Sequence, residues 1–233
     1  MNSYAIFFIV IAVVVVIVIG ILVPWKSLFK TTPKPKPKPF KSVWSTEDKE
    51  CVMRTLRNGM RILKSHDIEM VAVFGTLLGV LRHKGLIPWD DDMDFAIRRD
   101  QKELLFSLKE ELAHANIGLV DSVNGWSKLY PLDRPLIRVG YPWSWPFIDI
   151  FFYDQDGEDI NLGYGSKVSK RDFLPFKKGV FEGISVNIPN NPDKWLSDQY
   201  GKDWKDVCIS SDYNHRLERK QVGGHRALCK DVM

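Results

Sequence analysis

GLIPWDDDMDFAIRR, residues 85–99, places four aspartates within five positions and then turns apolar. A solvated acidic loop is the ordinary reading of such a cluster. Asp94, however, is held between Met93 and Phe95 in what reads as a strand. Successive side chains of a strand alternate faces, so Asp90, Asp92 and Asp94 are expected to share one face and Asp91 and Met93 the other. Carboxylates set side by side repel and raise one another's pKa unless positive charge lies between them. A divalent cation answers that need.

Working outward, PFIDIFFYD (146–154) sets Asp149 among Phe147, Ile148, Ile150, Phe151 and Phe152. An ionised carboxylate buried there costs several kcal/mol unless paired or metal-bound. An ion pair with Lys128 or Arg138 on a neighbouring strand is one solution, and a shared metal with Asp92 and Asp94 is the other. Three such carboxylates, with Asp90 as a possible fourth, suit one or two Mg²⁺ or Mn²⁺ ions bridging phosphate oxygens. Upstream, EMVAVFG reads as a short buried strand ending at Gly75. A Gly-Thr pair at a strand end opening a helix, Gly75 and Thr76, lets backbone N–H groups approach phosphate. Arg82, His83 and Lys84 close that helix. Arg82 and Lys84 either neutralise donor phosphates or complement the helix dipole, and His83 reads as polar surface.

The remaining pattern is mixed. Ser45 with Asp48 resembles a capping box, and Val52, Leu56, Met60 and Leu63 recur at helical spacing, which predicts a helix over 46–65. TLLGVLRHKG predicts a short helix closed by Gly85, and DDMDFAI a strand. Asp100 with Glu103 predicts the cap of a further helix bearing Leu104, Leu105, Leu108 and Leu112. WSKLYP, PLIRVG and PFIDIFFYD read as strands, DKWLSDQYG as a late helix. The basic tail after Asp212 carries no usable pattern. The expected fold class is α+β or α/β, a mixed sheet flanked by helices.

The first 41 residues stand apart. Tyr4 through Val23 is twenty residues without a charge, long enough at about 1.5 Å per residue to cross a hydrocarbon core of roughly 30 Å. A membrane anchor over 1–25, spanning 4–23, is expected, then a Lys-Pro linker over 26–41 with polyproline character, then one domain over 42–233. Lys26, Lys30, Lys34, Lys36, Lys38 and Lys41 are the charges of this region, and removing these six from the 33 basic residues leaves 27 against 29 acidic. The formal charge of +4 therefore gives no case for nucleic acid and describes a juxtamembrane basic stretch facing a lipid membrane. The lysine flank predicts a cytosolic domain by the positive-inside rule. Cys51, Cys208 and Cys229 are odd in number and lack CxxC spacing, indicating neither a zinc site nor a full disulfide framework.

The Gly-Thr, paired-Asp and third-Asp arrangement resembles the nucleotidyltransferase fold. More narrowly, FGTLLGVLRHKGLIPWDDDMDFAIRR is similar to the signature of the LicD family, with PFIDIFFYD and NIPNNPDKWLSDQYGKDW resembling its later blocks. The resemblance implies a transferase moving phosphocholine or an alditol phosphate from a CDP-linked donor to a sugar hydroxyl of a glycan, which the expected anchor would tether to a membrane. Asp92, Asp94 and Asp149 would be the catalytic metal-binding residues, Asp149 being the third ligand or the base, with phosphate held by Gly75 and Thr76. Eukaryotic relatives place the catalytic domain in the Golgi lumen, against the lysine rule. A true nucleotidyltransferase acting on a small molecule and an inactive membrane adaptor of the same fold are the alternatives.

Overall fold

Ser45 starts the first helix as the capping pattern requires: its Oγ accepts from the Asp48 N–H at 3.1 Å and donates to the Asp48 carboxylate at 2.6 Å. Helix α1 (Thr46–Ser65) then buries Val52, Leu56 and Leu63 against the sheet and leaves its charged face to solvent, the apolar stripe that a helix packed on one side needs. The computed structural model describes residues 39–233, apart from 123, 124 and 164. The chain divides into Met1–Lys38 and Pro39–Met233. The expected span at 4–23 and nearly all of the Lys-Pro linker thus lie outside the described residues. Among the described residues no helix is long and apolar enough to cross a membrane.

A nine-stranded mixed sheet forms the centre. Its strands are β1 (Val71–Ala72), β2 (Met93–Arg98), β3 (Ile117–Asp121), β4 (Ser127–Pro131), β5 (Ile148–Asp156), β6 (Asp159–Asn161), β7 (Lys167–Ser169), β8 (Lys177–Phe181) and β9 (Ile184–Ile188). The main order is β3-β4-β5-β2-β1-β9-β8, with β6 and β7 extending from β5. Two pairings matter for the site: β2 runs parallel to β5, and β4 antiparallel to β5. Both β2 and β5 are buried through their apolar residues, Phe95 to Ile97 and Ile148 to Phe152, as expected of strands covered on both faces.

Several expectations are corrected. The strand expected over EMVAVFG is only the two residues of β1, because Phe74 turns to φ 41° and opens helix α2 (Phe74–Leu78). A bulky residue with positive φ is strained by about 1–3 kcal/mol; Phe74 is held there between the Phe151 and Trp195 rings, at 5.0 and 5.5 Å. Helix α2 continues as a π-helical turn, Gly79–His83, ended by Lys84 at φ 61° and not by Gly85. A Cβ on Gly79 would lie 2.5 Å from the Gly85 carbonyl oxygen, so the returning chain can lie this close only over glycine. The helix expected after Asp100 is two, α3 (Lys102–Ser107) and α4 (Lys109–His114), meeting at Leu108. Asp100 pairs with Arg98 and caps neither. PLIRVG makes one isolated bridge, Leu136 to Ser144, since its proline and glycine interrupt the ladder.

After helix α5 (Lys170–Phe173) and helix α6 (Pro192–Tyr200), the tail that carried no pattern is ordered. Strands β10 (Val207–Ile209) and β13 (Arg226–Leu228) pair, as do β11 (Tyr213–Asn214) and β12 (Arg219–Lys220). A Cys208–Cys229 disulfide closes this segment and leaves Cys51 buried and free. We call residues 207–229 the strap.

Candidate active site

The register of three strands makes the site. Asp94 on β2 stands opposite Asp149 on β5, and Asp149 opposite Lys128 on β4. One ligand atom from each of Asp92, Asp94 and Asp149 lies within 4.8 Å of the others. Of the two solutions expected for Asp149, the ion pair is present and the three carboxylates that would share a metal are brought together: Lys128 Nζ donates to Asp149 Oδ1 at 2.6 Å, each side chain 4% exposed. Lys128 also sits 3.5 Å from the Phe147 ring centre. Arg138 takes no part, donating instead to Tyr141 and the Glu218 carbonyl.

Asp90, Asp92 and Asp94 line a cavity of about 290 Å³, and Asp91 does not. The sides are thus divided as alternation predicts, although only Asp94 lies in a strand and Asp90 to Asp92 precede it. Asp91 turns to the strap, where its Oδ2 accepts from the backbone N–H groups of His215 and Arg216 at 2.9 and 3.3 Å. Burial first, then the charge of Asp92, pushes Asp91 up to about 6. The same two causes raise Asp90 and Asp94. Asp149 is raised by burial in spite of Lys128. This is a set of hard oxygen donors carrying more negative charge than the fold neutralises, and it fits a divalent cation.

Gly75 and Thr76, expected to cradle phosphate, are tied to Asp94. Both hold Asp94: the Gly75 N–H donates to Asp94 Oδ2 at 2.9 Å, and the Thr76 hydroxyl accepts from the Asp94 N–H at 2.7 Å. Thr76 is buried, whereas Gly75 borders the cavity. A Cβ on Gly75 would stand 2.7 Å from Asp90 Oδ2 and 3.1 Å from Asp94 Oδ2, so glycine is what admits the two carboxylates. Arg82 lines the cavity and is anchored by the Trp204 and Val207 carbonyls at 2.9 and 3.2 Å. Lys84 is exposed, bonded to the Leu81 carbonyl, and does not line the cavity; the left-handed residue that ends the helix turns it away. His83 is only partly exposed. It packs edge-on to Trp89 at 5.5 Å, and burial followed by the Arg82 charge lowers it to about 4.

The sequence reading missed the strap's contribution. His215 Nε2 lies 3.0 Å from Asp92 Oδ2. Burial opposes the charged His215 ring, but Asp92, then Asp91 and Asp149, outweigh it and raise its pKa. Trp89, Tyr200, Trp204 and Arg226 complete the cavity wall. Burial, followed by the charges of Asp94, Asp90 and Asp92, holds the Tyr200 phenol well above its usual range. Two- and three-residue strands leave no periodicity, so no signal pointed to His215 beyond its being a histidine among basic residues.

The family model described as "LicD/FKTN/FKRP, nucleotidyltransferase domain" matches residues 67–191, which includes the three aspartates and stops short of the strap. The lipopolysaccharide cholinephosphotransferase LicD of Haemophilus influenzae is 32% identical over 87 residues, covering 34% of this chain and 33% of that protein. The human ribitol 5-phosphate transferase FKRP is 28% identical over 167 residues, covering 65% of this chain and 32% of its own. The match thus spans about a third of the length of each of these relatives. A solution structure of the antibiotic-resistance factor ANT(2'')-Ia aligns at a TM-score of 0.40 and 10% identity, covering 70% of this chain and 76% of that one, too slight a likeness to bear on the site.

Proposed function

Since the chain belongs to the LicD/FKTN/FKRP nucleotidyltransferase-domain family, we propose that it is a metal-dependent phosphotransferase acting on glycoconjugates. It moves phosphocholine or an alditol phosphate from a CDP-linked donor to a sugar hydroxyl. The observation that carries this reading is the meeting of Asp92, Asp94 and Asp149 beside a cavity that also presents Arg82. Mg²⁺ or Mn²⁺ held by these carboxylates would supply neutralising charge for the donor diphosphate. The chain's own part is positioning. Gly75 and Thr76 fix Asp94 from both its side chain and its backbone. Lys128 occupies one oxygen of Asp149, which favours a ligand over a base in the pair of roles open to it. Arg82, clamped by two carbonyls, offers a fixed cation to phosphate oxygens, and preorganised charge of this kind lowers a phosphoryl-transfer barrier without reorganising.

The test is the nucleotide product. Incubated with CDP-linked donors, a sugar acceptor and Mg²⁺ or Mn²⁺, the protein is expected to release CMP, and Asp92→Asn to abolish that release. Pyrophosphate from free NTPs would assign it instead to the true nucleotidyltransferases. Neither product would make it an adaptor.

We further propose that the catalytic domain lies on the non-cytosolic side of a membrane. The Cys208–Cys229 disulfide supports this, because disulfides persist in oxidising compartments and are rare in the cytosol. It agrees with the luminal placement implied by family resemblance and opposes the lysine flank.

A further inference from the structure

Asp91 and His215 have unfinished coordination. Asp91 is 4% exposed, and while its Oδ2 takes two backbone N–H groups, its Oδ1 is buried without a hydrogen-bond partner. The His215 Nδ1 is buried and unpartnered as well, while it is the Nε2 that faces Asp92. Leaving such a group unsatisfied costs about 1–3 kcal/mol each, so an orphaned carboxylate oxygen beside an acid-rich site calls for a positive ligand. One ligand atom from each of Asp91, Asp92 and His215 lies within 4.8 Å of the others. The His215 Nε2 to Asp92 Oδ2 separation of 3.0 Å suits a hydrogen bond. It equally suits two adjacent ligands of one cation, which at metal distances of about 2.0–2.2 Å stand about 3 Å apart.

We propose that Asp91, Asp92 and His215 form a second cation site, distinct from the Asp92–Asp94–Asp149 site and sharing Asp92 with it. The chemistry of the two sets differs. Three carboxylates are hard oxygen donors suited to Mg²⁺. An imidazole with two carboxylates suits a borderline transition metal such as Zn²⁺ and, through its carboxylates, still admits Mn²⁺. The second set is also assembled differently: Asp91 and Asp92 precede β2, and His215 follows β11 in the strap. Its formation therefore depends on the strap being docked, and the same Asp91 side chain that would bind the metal holds the strap through the His215 and Arg216 N–H groups. A cation there would tie the strap to the catalytic carboxylates. The proposal rests on the functional reading above in that the two sites share Asp92.

Mn²⁺ is the probe, because it suits both sets. The full chain in detergent is titrated with Mn²⁺ while the free ion is followed by electron paramagnetic resonance, and the bound ion is examined for coupling to nitrogen by electron spin-echo modulation. Two equivalents are expected, one of them coupled to imidazole nitrogen. His215→Ala should lose one equivalent and all nitrogen coupling. Asp94→Asn should lose the other equivalent and keep the coupling. A single equivalent without nitrogen coupling in the wild-type protein would overturn this site and leave the three-aspartate site standing, with His215 a hydrogen-bond partner only. No uptake of Mn²⁺ would overturn both. Should His215→Ala fail to fold, the wild-type nitrogen coupling decides alone.

Discussion

Lys128 is the charge on which Asp149 depends, since the two side chains face each other across β4 and β5, both 4% exposed. Removing one member of a buried pair costs about 3–5 kcal/mol, whereas replacing both with apolar residues is often near neutral. Lys128→Met is therefore expected to destabilise by about 3–5 kcal/mol, and Lys128→Met with Asp149→Leu by much less, as thermal melting of the full chain would read. The pH dependence has a definite sign. Asp149 is raised by burial even with Lys128 present, and without Lys128 it rises further. A carboxylate whose folded pKa exceeds its unfolded one binds its proton more tightly when folded, so the loss in Lys128→Met is least in acid and grows as pH rises through the folded pKa. A loss equal at all pH values would mean that Asp149 is not left as a buried charge. At this scale the sequence was informative about which residues matter: a carboxylate amid Phe and Ile demanded a partner. It could not say that Asp149 faces Lys128 on one neighbouring strand and Asp94 on the other, because that follows from strand register.

The strap is the element least legible in the sequence and the one that contributes most to the site beyond the aspartates. α1 was readable because a cap and four apolar positions at helical spacing act together over twenty residues, and β5 because Phe147, Ile148, Ile150, Phe151 and Phe152 form an apolar run around Asp149. β1, with two residues, and β10 to β13, with two or three each, are too short for either period. They are fixed instead by tertiary bonds: Trp89 Nε1 donates to the Ile209 carbonyl at 3.0 Å, Asp91 takes the His215 and Arg216 N–H groups, and Cys208 is joined to Cys229. The π turn of Gly79–His83 was hidden for a similar reason, being set by the approach of Gly85 to Gly79. A disulfide closing a loop of about this length contributes about 2–4 kcal/mol. Cys208→Ser with Cys229→Ser is expected to lower stability by about that amount and to reduce activity as well, since the strap carries His215 and the Val207 carbonyl that anchors Arg82. Melting and product release, each measured with and without reductant, check this. An unchanged activity in the double variant would show that the strap's hydrogen bonds hold His215 without the disulfide.

For the whole molecule, a membrane span at 4–23 would set two physical arguments against each other over the side on which Pro39–Met233 is held. Six lysines follow the apolar stretch and no charged side chain precedes it, and the insertion rule acts on residues within about 15–20 positions of a span. That rule describes a bias in how a segment inserts and is silent on the folded domain behind it. The disulfide is chemical and belongs to the folded domain: such bonds form and persist in oxidising compartments and are rare in the cytosol, and without Cys208–Cys229 the strap would lose the cross-link that closes it. The domain's own balance, close to neutral once the six lysines are set aside, does not argue for either side. Protease treatment of sealed microsomes is therefore expected to leave the domain intact, and to degrade it once detergent opens the vesicles. Alkylation before and after reduction should show two of the three cysteines protected and Cys51 free, provided the protein is unfolded first to expose that buried thiol. Digestion of the domain in sealed vesicles, with all three cysteines alkylated without reduction, would place it in the cytosol, and the lysine flank would then have decided its orientation.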